Sequence, residues 1–221
     1  DMARGFGLGS PTGVVGLTEE AGSIPDATGA NDAVQMAIGQ GAMLVTPLQV
    51  ARFVAAVGNG GTLYKPQMVE KITKVDGTES YIFTPEAQGS LPLKPETLDE
   101  VQKALRMVVY DKRGTAYYVL ANIGIKVAGK TGTATTPTGG GNSHAWFAGY
   151  TEENNPNKPD IAIAIIIENG GEGSEMAAPL FRRIVQLYFS DMKNPGRTLP
   201  WEASPYTIAS PTPLVTDTPV P

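Results

Sequence analysis

Cysteine is absent from the 221 residues, and histidine occurs once, as His144. The first absence excludes disulfide scaffolds, thiolate metal centres and a Cys nucleophile. The second leaves a Ser-His-Asp hydrolase only one imidazole to use and excludes a multi-histidine metal site. Basic residues are also scarce: 17 Lys and Arg against 22 Asp and Glu give a net charge of −5, with no basic run. Phosphate neutralisation then supplies little affinity, which argues against a nucleic-acid partner. Long hydrophobic runs are missing too. The longest, Ile161 to Ile167, is strand-sized and falls far short of a membrane span. The chain opens on Asp1-Met2-Ala3-Arg4 with no initiator Met and no signal peptide. That opening predicts a piece of a longer protein, with any anchor or further motif lying upstream. What remains, at 41% hydrophobic residues, is enough for one domain with its own core.

Punctuation divides the chain. Residues 1–30 are Gly-rich, with turn signals at Gly9-Ser10-Pro11, Gly13 and Pro25-Asp26, and read as an irregular surface segment. Thr46-Pro47 starts a helix, because Thr caps well and Pro at the first position lacks a donor that would have no partner there. Val50, Val54 and Val57, with Leu48, Ala51 and Ala55, form its apolar stripe, which stops at Gly58-Asn59-Gly60-Gly61. Met68 to Val75 alternates as a strand, Asp76-Gly77 is a tight turn, and Tyr81-Ile82-Phe83 is the return. Pro95 to Tyr110 predicts an amphipathic helix with Leu98, Val101, Leu105 and Val108 inward and acidic residues in its first turns. A short helical piece, Thr115 to Ala121, follows.

Three strands come next: Lys126 to Thr135, Ala145 to Thr151 and Asp160 to Glu168. Their short linkers fit antiparallel neighbours and exclude helical crossovers. The third is apolar on both faces, which predicts a place in the middle of the sheet with helices on each side. Met176 to Ser190 reads as a closing helix with Leu180, Ile184, Leu187 and Tyr188 facing inward. From Lys193 onward, seven of the chain's 18 prolines fall in 29 residues among Ser and Thr. That composition predicts a disordered or polyproline tail. The whole reads as an α+β domain, an antiparallel sheet covered by helices, over residues 1–190, with a tail at 191–221.

The chemistry-bearing segment is Lys130-Thr131-Gly132-Thr133. Chance supplies roughly 0.1 copies of Lys-Thr-Gly in this composition, so the tripeptide alone proves nothing. Its place on a strand matters more. There an ammonium and hydroxyls point toward a cleft, and a ligand carboxylate accepts from Lys130 and a Thr hydroxyl. Gly132 lets an extended ligand lie close, and the N–H of Thr133 donates to a developing oxyanion. Thr135, Thr136 and Thr138, with Gly139 to Gly141, form the following turn and either rim that cleft or serve only as a loop. His144 suits packing or a backbone hydrogen bond better than proton transfer. Trp146 and Phe147 read as core and cleft wall, and Glu168 as the entry to a turn.

The ordered set of segments is similar to class B penicillin-binding proteins. Lys-Thr-Gly belongs to the penicillin-binding protein and β-lactamase signatures. Ala37-Ile38-Gly39-Gln40-Gly41, Val45-Thr46-Pro47-Leu48-Gln49 and Gly58-Asn59-Gly60-Gly61 resemble their helical subdomain. Further matches are Gly114-Thr115-Ala116, Val127 through Ala134, His144 through Tyr150 and Glu168-Asn169-Gly170-Gly171. Phe6-Gly7-Leu8-Gly9, Thr12-Gly13 and Gly22-Ser23-Ile24-Pro25 also fit, so the likeness runs over about residues 4–190. It implies the penicillin-binding protein and serine β-lactamase-like transpeptidase fold with its N-terminal part missing. Residues 1–122 then form the late helical subdomain, and 123–190 the Lys-Thr-Gly strand, two further strands and the closing helix.

By that resemblance the activity is a peptidoglycan D,D-transpeptidase, an enzyme without cofactor or metal that acts outside the cytoplasm and is anchored through the missing segment. Its partners are stem peptides, β-lactams and the missing N-terminal part. Lys130, Thr131, Gly132 and the backbone N–H of Thr133 take catalytic positions, and Lys130, Thr131, Thr133 and Thr135 bind substrate. The family also uses S-x-x-K and S-x-N motifs. No S-x-N occurs here, and the one S-x-x-K match, Ser190-Asp191-Met192-Lys193, follows Lys-Thr-Gly when the family's motif precedes it. Ser190 is therefore rejected as nucleophile, and the chain alone is expected to be inactive. Two other readings stand beside this one. One is a non-catalytic penicillin- or peptidoglycan-binding module or sensor. The other is a serine β-lactamase, against which the lack of an E-x-x-L-N pattern before Lys130 argues for class A.

Overall fold

The structure, a computed structural model, describes residues 1–135, 141 and 143–190. The expected tail, Thr136, Thr138 and Gly139–Gly140 lie outside them. In chain order the elements are α1 (Met2–Gly5), α2 (Ala30–Ala37), α3 (Pro47–Gly58), β1 (Thr62–Tyr64), β2 (Lys71–Thr73), β3 (Glu79–Ile82) and β4 (Ala87–Ser90). Then follow α4 (Pro95–Tyr110), α5 (Tyr117–Leu120), β5 (Val127–Ala134), β6 (His144–Thr151), β7 (Ala162–Ile167) and α6 (Ala177–Phe189).

β5, β6 and β7 form one antiparallel sheet in that order, with Lys130 opposite Ala148 and Gly132 opposite Trp146. Period-two alternation sorts its side chains into two cores. Val127, Ala145 and Phe147 face Ala116 and Leu120 near α5 and Ala177, Ala178, Phe181 and Val185 of α6. Ala128, Tyr150, Ala162 and Ala164 face Val50, Val54 and Val57 of α3 and Leu98 of α4. The rings of Phe147 and Phe181 meet at a centroid distance of 4.6 Å.

Two expectations need correction, and a third is met in part. Helices cover both faces of β7 as expected, while among the described strands β7 pairs only with β6 and so lies at one margin of this three-stranded sheet. Its apolar character on both faces comes from α3 and α6; alternation reports faces and carries no information about lateral neighbours. α6 turns Ala177, Ala178, Phe181 and Val185 inward, where Leu180, Ile184, Leu187 and Tyr188 were expected. Small residues let the helix approach the sheet closely, while Tyr188 lies under Lys158 and donates to Pro159 O. The predicted strand Met68 to Val75 shrinks to β2, and every residue of both strands of its hairpin is exposed.

The first 30 residues are mostly irregular, as expected, but they are tied down. Glu19 accepts from the Thr12 hydroxyl and from the amides of Thr12, Gly13 and Val14, leaving Thr12 fully buried. Gln49 completes a capping box with Thr46 and donates to Ser10 O and Ala21 O, each at 2.8 Å. The pairing of β1 with β4, and α2, had no counterpart in the sequence reading.

Candidate functional site

β5 is the other margin of the sheet, and its outward edge is the centre of the site. In a strand the N–H and C=O of one residue point the same way, so alternate residues face the partner or the open side. Here the odd-numbered peptides face outward. Val127 N–H donates to Tyr110 Oη, Lys130 Nζ donates to Thr131 O at 2.8 Å, and Gln40 Nε2 donates to Thr133 O at 2.9 Å. Gln40 Oε1 also accepts from Thr135 N. The N–H groups of Thr131 and Thr133 therefore look onto the margin.

The side chains add to this. Lys130 stands on the sheet face opposite to Thr131 and Thr133, and its long stem wraps around the edge so that Nζ lies 3.4 Å from Thr131 Oγ1. Thr131 Oγ1 is 2.7 Å from Thr115 Oγ1. Thr115 is placed by Gly114, where a Cβ would lie 2.3 Å from Val108 O, so only glycine lets this turn tuck under the end of α4. Met107, Val108, Arg113, Thr115 and Lys130 line an open groove of about 380 Å³. Arg113 is committed to Asp111 through a two-pronged pair, which holds that carboxyl down to about 2. Lys130 has no carboxylate partner among the described residues. An unpaired ammonium, three hydroxyls and outward amides suit an anion or a polarised carbonyl oxygen.

Other singled-out residues fall as follows. His144 Nδ1 accepts from Asn169 N at 3.0 Å, a backbone contact at the turn after β7. Phe147 is fully buried, and Trp146 packs against the α3-side core. Ser190 ends α6, and its hydroxyl donates to Leu187 O. A Cβ on Gly132 would stand 3.0 Å from Trp146 Cβ, and its backbone is approached by the loop after β7, where a Cβ on Gly173 would stand 2.3 Å from Gly132 O. That loop brings Glu172, for which the sequence held no local signal, to Thr133 Oγ1 at 2.8 Å. Gln40 and Thr115 lie in segments that looked family-like but carried no assigned role.

A second cavity of about 420 Å³ lies at the far end of β6, lined by Ala55, Asn59, Tyr150 and Asp160. The Tyr150 hydroxyl is the buried polar atom without a partner among the described residues, and burial pushes it up to about 12. No group of three His, Asp or Glu placed to hold a metal occurs among the described residues.

The site thus lies on an antiparallel sheet with helices on both faces, with Lys-Thr-Gly on its β5 margin, an α+β arrangement. Residues 1–186 match the penicillin binding protein transpeptidase domain, and the chain belongs to that family. It is 28% identical over 212 residues to the peptidoglycan D,D-transpeptidase MrdA of Haemophilus influenzae, covering 85% of this chain and 32% of the relative. It is 30% identical over 196 residues to the peptidoglycan D,D-transpeptidase PbpA of Mycolicibacterium smegmatis, covering 83% and 37%. The structure of penicillin-binding protein A from M. tuberculosis as a ceftriaxone acyl-enzyme superposes with a TM-score of 0.71 at 25% identity, covering 86% of this chain and 42% of that one. The chain thus spans about a third of the length of the curated relatives it matches.

Proposed function

We propose that this chain is the Lys-Thr-Gly side of a peptidoglycan cross-linking D,D-transpeptidase acylated by β-lactams, with its nucleophilic Ser carried elsewhere in a longer protein. Membership in the family and the names of the relatives support the reaction class. The observation that carries the assignment of roles is the open β5 margin, where Lys130, Thr131 and Thr133 converge. Lys130 Nζ and the Thr131 and Thr133 hydroxyls receive the terminal carboxylate of an acyl-D-Ala-D-Ala peptide. The Thr133 N–H donates to the oxygen that turns anionic as the scissile carbonyl is attacked, and Thr135 lies one register further along. Gly132 contributes through the shape of the strand and presents no group to the ligand. Such a reaction takes place outside the cytoplasm, with the missing N-terminal segment as anchor.

Acyl transfer needs an activated hydroxyl, and the reading that Ser190 does not supply it is supported by its place after Lys-Thr-Gly and by its hydrogen bond to Leu187 O at the end of α6. The 221-residue chain therefore takes no covalent label from a fluorescent penicillin. Stoichiometric labelling that persists in Ser190→Ala defeats the reading that the nucleophile lies outside the chain. Labelling lost in that variant defeats the rejection of Ser190.

A further inference from the structure

We infer that Glu172 is a built-in competitor for the docking margin, a specificity-determining carboxylate that any ligand carboxylate must displace from Thr133. The inference rests on the proposed role of the margin as a carboxylate dock. Thr133 Oγ1 donates to Glu172 Oε2 at 2.8 Å. A hydroxyl has one proton to donate, so Thr133 serves either Glu172 or an incoming carboxylate.

The contact is built into the fold. The loop after β7 is pressed onto the β5–β6 pair at Gly173, where a Cβ would lie 2.2 Å from Trp146 O and 2.3 Å from Gly132 O. On its other side the loop is fixed to the start of α6, since Glu172 O accepts from the amides of Glu175 and Met176. The backbone of the target strand is fixed as well, because Gln40 bridges Thr133 O and Thr135 N. With strand and loop both held, the backbone of Glu172 is fixed before any ligand arrives, and its exposed carboxylate reaches Thr133 from there. A second carboxylate at the same hydroxyl also meets like-charge repulsion at close range. The margin thus favours ligands whose carboxylate takes enough from Lys130 and Thr131 to displace Glu172, and it disfavours weak or singly anchored anions.

The test is binding of N-acetyl-D-Ala-D-Ala to the 221-residue chain, followed by amide chemical shifts, in wild type, Glu172→Gln, Glu175→Gln and Lys130→Ala. Glu175 is an exposed carboxylate in the same loop, so its variant removes equal charge without touching Thr133. Glu172→Gln is expected to bind roughly three- to tenfold tighter than wild type, the range one competed charge-assisted hydrogen bond supports. Glu175→Gln should stay within about twofold of wild type on the same reasoning. Equal tightening in both glutamine variants, or no change or weakening in Glu172→Gln while wild type binds, overturns the inference and leaves the dock intact. Absence of binding to wild type and both glutamine variants, matching Lys130→Ala, overturns the dock and this inference with it.

Discussion

Replacing Gly173 with Ala tests the packing that shapes the site, and it does so through the sign of the effect. The residue is buried and its φ lies outside the left-handed region, so a Cβ meets no backbone objection. At such positions Gly→Ala ordinarily stabilises by about 0.4–1 kcal/mol, because the unfolded chain loses freedom. Here the new methyl would stand 2.2 Å from Trp146 O and 2.3 Å from Gly132 O, roughly 1 Å inside ordinary contact. Both obstacles are backbone atoms within the β5–β6 pair, with no flexible side chain to give way. The overpacking cost therefore falls near the top of its range, about 3 kcal/mol. For a domain of this size that lowers Tm by roughly 6–12 °C. Gly29→Ala is the control, since its φ of −171° is extended and no atom lies within 4 Å of a new Cβ. Thermal unfolding by circular dichroism of the two variants reads the difference. An unchanged or raised Tm in Gly173→Ala refutes the close approach of this loop to β5, and with it the placement of Glu172.

Gln49→Leu removes the bonds to Ser10 O, Ala21 O and Thr46 N at a site 1% exposed, so urea unfolding should show a loss of about 2–4 kcal/mol; a loss below about 1 kcal/mol contradicts the clamp on the first segment. Burial raises the Asp160 carboxyl, but the Thr151 hydroxyl and the amides of Asn154 and Glu153 together hold it below the ordinary carboxylate range. A depressed folded value stabilises above the unfolded value and is lost as pH falls through the folded one. The stability gap between wild type and Asp160→Asn should accordingly stay flat from about pH 7 to about pH 5 and close only as pH falls through the ordinary carboxylate value of about 4 and below, and a gap that widens there contradicts it. β7 has an unpaired outer edge among the described strands, which favours association between chains. Light scattering should show a mass that rises with concentration, and a sharply monomeric solution counts against that edge.

The sequence was most legible where local chemistry decides. α4 begins at Pro95 and ends at Tyr110 as its opening Pro and apolar spacing require, and Thr46 caps α3. β5, β6 and β7 lie within a residue or two of their alternation patterns. Long-range packing was not legible. Ala177 and Ala178, weak in any hydrophobic count, mark the face of α6 that meets the sheet. The margin position of β7 depends on which strands pair beside it. At the site, Lys130 and Thr131 announced themselves, yet Glu172 reaches Thr133 across 39 residues and Gln40 across 93. Such contacts arise only after the fold closes.

The central claim is that the β5 margin receives a terminal carboxylate, and amide chemical-shift mapping of N-acetyl-D-Ala-D-Ala beside its methyl ester tests it most directly. The expected result is a cluster of shifts at Lys130 to Thr133 and Thr115 for the free acid, with the ester leaving those amides unmoved. Equal shifts from acid and ester, or shifts gathered instead around Tyr150 and Asp160 at the opposite end of β6, contradict it.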